Sequence, residues 1–437
     1  MPRSHRKVLV LGGGVAGSAL TFFLQRKGYA VTLIERKGRE VGGLARTYSY
    51  AGHPYEFGPH VWFWPDPSPI NDVVRELTEG ELHPVRRRLY SYIERDGALY
   101  RYPIHYEDIS RMPDREVAER ELRRHRNADL ELEGDQIPVI GHCTFEEYFT
   151  ATVGRSLYEK FMKDYSEKMW NIPGEKLQTS MVWADRIKHN YSFDRKGTPG
   201  YDPVKFQDHT LGADLPFQVY PKAGWNRVWE RMVAGAELVE DRVLRARQRD
   251  QSLLLESGAC VSLRDFEAVI STLDIDQLLE PESPELPYTG RIMIPLLLPR
   301  DPDQTPAGPD AQGVFPGAAE SLHYSGAEFQ TRVTDMDVIT RYQGPGRLIL
   351  IEVPITSQIR EGAFPANVMR NARARNLFAR RAYPQQSSEA RARYEELRKG
   401  SERCFPNLLH CGRHAEFRYI GMPETVDSAW RLVEERF

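Results

Sequence analysis

The sequence predicts an α/β fold that opens on a parallel βαβ unit, and three observations predict it. Val8-Leu9-Val10-Leu11 is uniformly apolar, as a strand covered on both faces requires. It runs directly into the glycine-rich turn Gly12-Gly13-Gly14-Val15-Ala16-Gly17 and then into a helical pattern with Leu20, Phe23 and Leu24 on one side. A second strand pattern, Ala30 to Ile34, follows and ends on the acid Glu35.

Each element has a local cause. Arg26 and Lys27 fall in the last turn of the predicted helix, where cations suit the helix dipole, and Gly28 provides a natural stop. Arg3, Arg6 and Lys7 before this apolar run mimic the start of a signal peptide, but the glycines inside the run and the strand pattern after it argue against a leader or a membrane segment. The chain of 437 residues is long enough for about three structural units. With 41% hydrophobic and 28% charged residues it excludes disordered, collagen-like and coiled-coil classes. Lys+Arg 59 against Asp+Glu 62 gives a net charge of -3, so no overall basic field for nucleic acid exists and an anionic ligand requires a local arginine cluster. Four cysteines without CxxC spacing point to free thiols in a reducing, cytoplasmic setting. His410 and His414 lack the glutamate of a zinc-protease helix, and no metal is expected.

Further along, Pro65 to Tyr191 reads as charged and helix-patterned, with Arg111 to Glu133 a solvated surface segment and Phe145 to Trp170 aromatic and amphipathic. Leu238 to Ser271 carries strand-like runs, Leu348 to Val353 is a buried strand, Arg370 to Gly400 reads as helical, and Leu408 to Phe437 as loop to helix. Asp194 to Asp214 is a polar Gly/Pro loop and a candidate lid, and Arg300 to Gly317 reads as a loop or linker.

Gly12, Gly14 and Gly17 form GxGxxG between strand and helix. The first glycine makes the turn, the second admits a pyrophosphate, and the third lets helix and strand pack closely. The helix N-terminus adds NH groups and positive potential. Glu35, eighteen residues beyond Gly17, is placed to accept from adenosine ribose hydroxyls. Gly42-Gly43-Leu44-Ala45-Arg46-Thr47 then supplies a second flexible backbone segment. An acid followed by a Gly-Gly element resembles the fingerprint of the FAD-binding flavoproteins that include amine oxidases, desaturases and UDP-galactopyranose mutases. FAD is therefore the expected cofactor, with Gly43, Leu44 and Arg46 among its binding residues.

Phe57-Gly58-Pro59-His60 resembles the flavin-edge motif of the UDP-galactopyranose mutase family, with Phe63 where that family has a second histidine. Tyr165-Ser-Glu-Lys-Met-Trp170 is similar to the segment whose tyrosine and tryptophan line the family's nucleotide-sugar cleft. Arg186 and Arg332 resemble its two diphosphate arginines, and Tyr383-Pro384 its diphosphate-binding tyrosine segment. Gly412-Arg413 with Arg418-Tyr419-Ile420-Gly421-Met422 resembles its C-terminal flavin motif. Two departures bear on sugar and base specificity: Gly421 stands where many members have an acid, and Arg291 is the arginine nearest Thr289, where bacterial members carry one.

The resemblance implies a Rossmann-like FAD-binding domain with a helical insertion and an antiparallel-sheet substrate domain. The segments expected are 1–72, 205–280 and 395–437 for FAD binding, 73–204 mainly helical, and 281–394 antiparallel sheet. It implies an isomerase that interconverts pyranose and furanose forms of a nucleotide sugar, UDP-galactopyranose by default, through a flavin N5–sugar adduct without net redox. His60 would sit by the flavin edge, Arg186 and Arg332 would hold the diphosphate, Tyr383 and Tyr419 would add hydroxyl donors, and Tyr165 and Trp170 would pack base and sugar. Gly58, Pro59, Arg413 and Met422 would complete the FAD site. NAD(P)H or another external donor would reduce the flavin. Two alternatives remain: an amine oxidase or desaturase-like oxidoreductase, which shares Gly12–Thr47, and a non-catalytic nucleotide- or sugar-binding scaffold that retains the fold without FAD.

Overall fold

Five strands form a wholly parallel sheet in the order Glu237–Glu240, Ala30–Glu35, Lys7–Leu11, Ala268–Ser271, Leu408–His410. In this computed structural model residues 6–63, 68–85, 89–102, 104, 106–122, 143–178, 218–279, 285–299, 319–357 and 359–437 are described. Three distant stretches of chain thus build one Rossmann-like sheet. Its central strand is buried because Val8, Leu9, Val10 and Leu11 are apolar on both faces. The helix Val15–Arg26 buries Leu20, Phe23 and Leu24 and packs against the closing helix Met422–Arg436. The βαβ opening therefore forms where its periodicity places it, and Gly28 follows the helix at φ +86°.

A second, seven-stranded sheet stands beside it, in the order Phe378–Pro384, Tyr288–Leu298, Arg347–Ile355, Arg332–Asp335, Ser321–Tyr324, Leu89–Ile93, Ala98–Tyr102. All its joins are antiparallel except one, where Ser321–Tyr324 runs parallel to Leu89–Ile93. The helical unit comprises Phe145–Val153, Arg155–Leu157, a π-helical stretch Tyr158–Lys163 and Asp164–Trp170. Thr144 caps its start reciprocally with Glu147.

Two helical readings need correction. The stretch from Pro65 to Tyr191 contains the hairpin Leu89–Ile93/Ala98–Tyr102, turned at Gly97 with φ +58°. Leu89, Ser91 and Ile93 share one face and Tyr90 and Tyr92 the other, a period of two hidden by the flanking charge. The stretch Arg370–Gly400 is likewise broken. The helix Ala366–Ala374 ends before Asn376, which adopts φ +55°, and the strand Phe378–Pro384 intervenes before the helix Ser388–Cys404. Arg186, the Asp194–Asp214 loop and the Arg300–Gly317 linker lie outside the described residues, as does the second half of the Arg111–Glu133 segment. Among the described residues no helix is long and apolar enough to cross a membrane.

Candidate active site

The glycine loop sits at the carboxyl end of the central strand, the crevice where open parallel sheets receive ligands. Gly12 has φ +89°, and a Cβ there would lie 2.7 Å from Thr272 Oγ1. At Gly17 a Cβ would fall 1.8 Å from the Gly12 carbonyl oxygen, so helix and loop meet only with glycine. Gly14 differs: a Cβ there meets nothing within 4 Å. Packing does not require glycine at 14, and the open space beside it is what an approaching pyrophosphate needs. Glu35 accepts from the backbone N–H of Gly13 at 2.7 Å and of Lys37 at 3.1 Å, which holds its carboxylate at the rim of this groove.

The second glycine segment is anchored by an indole. Gly42 has φ +103°, a Cβ on it would lie 2.3 Å from Trp229 Cδ1, and Trp229 Nε1 donates to the Ala45 carbonyl at 3.0 Å. Gly42 N–H donates to Gly13 O at 2.7 Å, and a Cβ on Gly43 would lie 3.2 Å from Gly14 Cα, so the two glycine segments form one wall with Leu44 half-buried beside them. Arg46 donates to Val41 O and pairs with Glu230 at 3.2 Å. At the chain's end, a Cβ on Gly412 would meet Ala16 Cβ at 2.7 Å, and Met422 starts the closing helix buried. The C-terminal motif is thereby pressed onto the start of the first helix.

Beyond the glycine segments, the Gly58-Pro59-His60 turn meets a cationic cluster formed by Arg332 and Arg413. Gly58, at φ +106°, lets the Arg332 guanidinium lie alongside, with Nη2 3.5 Å from where a Cβ would stand. Burial pushes the His60 imidazole down to about 3, and Arg413 and Arg332 add to this, so the ring is neutral. Its Nδ1 is buried without a partner among the described residues, as is Arg332 Nε. Arg332 pairs with Glu352, whose other oxygen accepts from Arg291 Nε at 3.0 Å. Burial alone would raise the Glu352 carboxyl, but the two guanidiniums outweigh it and hold it ionised.

Arg291, fully buried, also donates to Met169 O at 2.7 Å and stacks 4.7 Å from the Tyr383 ring. It therefore works behind the cleft wall. Arg413 directs three of its N–H groups to the carbonyls of Ile420 and Ala382, keeps its others free of partners among the described residues, and lies 5.2 Å and 5.3 Å from the rings of Tyr383 and Tyr419. Tyr383 and Tyr419 are half-buried with ring centroids 5.4 Å apart. Tyr165 stacks on His323 at 5.1 Å. The structure thus brings His60, Arg332, Arg413, Tyr383, Tyr419 and Tyr165 to one region. Trp170 is 1% exposed and stands edge-on to Tyr419 at 4.9 Å, next to the same tyrosine pair.

Sequence reasoning missed several residues. Glu56 is completely buried; its Oε1 accepts from Thr47 at 2.9 Å and from the Tyr220 hydroxyl. Burial lifts this carboxyl to about 8, so it is protonated at neutral pH. Trp225 Nε1 donates to His60 O at 2.7 Å. Glu56 immediately precedes the GPH-containing turn, and a charged residue amid aromatics and glycine was the available signal.

Known proteins resemble this chain in sequence and in fold. A family model described as an NAD(P)-binding Rossmann-like domain matches residues 10–77. A "Probable UDP-galactopyranose mutase" of Klebsiella pneumoniae is 24% identical over 230 residues, 52% of this chain and 53% of that one. The match thus spans about half the length of this curated relative. In fold, a reduced UDP-galactopyranose mutase superposes with TM-score 0.71 at 16% identity, covering 98% of this chain and 95% of the other. A putrescine oxidase bound to putrescine superposes with TM-score 0.55 at 13% identity, over 99% and 98% of the two chains. The likeness to UDP-galactopyranose mutases read from the motifs is therefore present in both sequence and fold.

Proposed function

We propose that this chain is a flavin-dependent mutase that interconverts the pyranose and furanose forms of a nucleotide sugar, with UDP-galactopyranose the default substrate and FAD the cofactor. The observation that carries the reading is Arg332, braced by buried Glu352 and set against Gly58 and His60, in a cleft that also holds Arg413, Tyr383 and Tyr419. The residues present fit FAD: Gly14 leaves space for a pyrophosphate, Glu35 beside the glycine loop would accept from the ribose, and His60 Nδ1 is a buried polar atom without a partner among the described residues. Gly12, Gly14, Gly17, Glu35, Gly43, Leu44, Arg46, Gly58, Pro59, Arg413 and Met422 would hold the cofactor. When bound and reduced, FAD supplies a nucleophilic N5 for the anomeric carbon and ends each cycle with its electron count unchanged.

The protein's own task is to keep the displaced diphosphate in place. Arg332, and by the motif Arg186, would supply charged and directional donors to it, with the hydroxyls of Tyr383 and Tyr419 beside them. Tyr165 and Trp170 would pack the nucleoside and sugar. His60 stays uncharged, so it offers a hydrogen bond at the flavin edge without opposing positive charge. NAD(P)H or another external donor would reduce the cofactor.

Dithionite-reduced, FAD-loaded protein incubated with UDP-galactopyranose and other sugar nucleotides is expected to yield the furanose isomers without net consumption of reductant. FAD-loaded enzyme that converts none of them overturns the reading. The fold likeness to putrescine oxidase favours an amine oxidase as the second reading. The guanidiniums of Arg332 and Arg413 near His60 oppose a cationic amine in this cleft. Flavin bleaching by an amine under anaerobic conditions would decide for the oxidase.

A further inference from the structure

We infer that Lys168 is a positioning residue: by clamping the turn before Arg332 to the helix that carries Tyr165, it sets the distance between the two walls of the cleft. The inference rests on the nucleotide-binding role proposed above for Arg332. Lys168 lies three residues after Tyr165 in the helix Asp164–Trp170. Its ammonium donates to the carbonyls of Tyr324 at 2.8 Å, Glu328 at 3.0 Å and Gln330 at 3.2 Å. An ammonium has three protons and no acceptor, so these three bonds use its whole capacity. The Tyr324 carbonyl closes the strand Ser321–Tyr324, and those of Glu328 and Gln330 lie in its connection to the strand Arg332–Asp335, with Gln330 two residues before Arg332.

Other contacts show that the clamp joins two separately built parts. Ser325 Oγ donates to Phe161 O in the π-helical stretch at 3.1 Å, and Ala327 N donates to Glu94 at 3.2 Å. On the far side, Thr331 N–H donates to the Glu352 carbonyl at 3.0 Å, which leads back to the carboxylate that braces Arg332. The connection is thus held on one side by the helical unit and on the other by the sheet. With the lysine side chain only 17% exposed, water does not readily replace the ammonium. Replacing it by an apolar side chain leaves three carbonyls to find other donors, and deprotonating it removes one of the three bonds and the charge, so in either case the turn must move. Arg332 begins the strand at the end of that turn, and displacements of about 1 Å in a positioning element can cost on the order of 100-fold in function.

A residue that merely stabilised the fold would weaken ligand binding whether or not Arg332 were present. Calorimetric binding of uridine diphosphate to the FAD-loaded protein distinguishes the two. Lys168→Met is expected to weaken binding at least about tenfold in the otherwise native chain and less than about twofold in an Arg332→Ala background. Equal losses in both backgrounds, or no loss in the native one, overturn the inference. Native protein that binds no uridine diphosphate defeats the proposed function itself, and the inference falls with it. If Lys168→Met does not fold, native protein and Lys168→Arg decide. Burial brings the Lys168 ammonium down to about 8, partly offset by the facing carboxylates of Glu328, Asp164 and Glu94. Between about pH 7 and about pH 9.5 native binding should fall at least about fivefold while Lys168→Arg, which keeps its charge, stays within about twofold. Parallel pH profiles for the two proteins overturn the inference.

Discussion

Replacing Glu56 by glutamine should stabilise this protein, and increasingly so as the pH rises. The carboxyl is completely buried, no cation faces it among its described partners, and its ionisation is displaced from 4.5 to about 8. The folded chain therefore retains a proton that the unfolded chain releases, and the fold binds more protons throughout that window. By linkage, stability falls with rising pH: the contribution is fully present below 4.5 and is lost progressively towards 8. At about 1.4 kcal/mol per pH unit, roughly 3 kcal/mol is lost between pH 4.5 and pH 7.

Glutamine avoids that loss because it has no proton to release. Its carbonyl oxygen can still accept from Thr47 and Tyr220, and the atom replacing Oε2 inherits a position with no partner among the described residues. Thermal unfolding of native and Glu56→Gln proteins, both FAD-saturated, should coincide near pH 4.5 and diverge above it. With an unfolding entropy of roughly 2.1 cal/mol/K per residue, a chain of 437 residues gains about 1 °C per kcal/mol, so the variant should melt about 3 °C higher at pH 7. A difference in melting temperature that is the same at pH 5 and pH 8 would refute the argument, because only a proton held by the fold makes the gap grow.

Other outcomes follow from the same geometry. Gly14→Ala, which meets open space, should fold within about 1 kcal/mol of native yet purify with depleted flavin absorbance. Gly17→Ala, aimed at a carbonyl oxygen, should lose both fold stability and flavin. Glu352→Ala leaves fully buried Arg291 without its carboxylate and should cost about 3–5 kcal/mol in denaturant titrations. For Asp274, burial works against ionisation, but His414 and Arg381 overcome it and bring the carboxyl to about 2. Its stabilisation of roughly 2 kcal/mol is present above 3.8 and vanishes as the pH falls towards 2, so Asp274→Asn should flatten that part of the acid-unfolding profile.

The parts legible in the sequence are those whose cause is local. Val8 to Leu11, the glycines and Glu35 lie within 28 residues, and hydrophobic periodicity with turn chemistry is enough to assemble them. The cleft is different. Arg291, Arg332 and Glu352 come from three strands joined only by long-range pairing, with Arg332 opposite Glu352 in register and Arg291 one strand further on. No spacing in the chain announces that Glu352 lies between two guanidiniums. Tyr383 was identifiable by its motif while its strand was missed, because Arg380 and Arg381 mask the alternation of Phe378 and Ala382. Trp170 is located by its motif, while its edge-on contact with Tyr419 comes from packing that no spacing announces.

The charge arrangement explains why the cleft can wait for a dianion without collapsing. Two guanidiniums on one buried carboxylate leave an excess of one positive charge, and Arg413, held by carbonyls, adds another. Glu352 fixes one edge of Arg332, while Nε remains without a partner among the described residues. The guanidinium is thus oriented before any ligand arrives, so little side-chain entropy is lost on binding. Lysine at 332 tests whether direction or charge matters. It would keep the ion pair with Glu352 but could not point a second fixed N–H at the same time. Arg332→Lys should therefore bind uridine diphosphate roughly tenfold more weakly, about 1.4 kcal/mol, with flavin content unchanged. If lysine binds as tightly as arginine, the cleft uses Arg332 only as a point of charge, and the two-edged geometry described here contributes nothing to recognition.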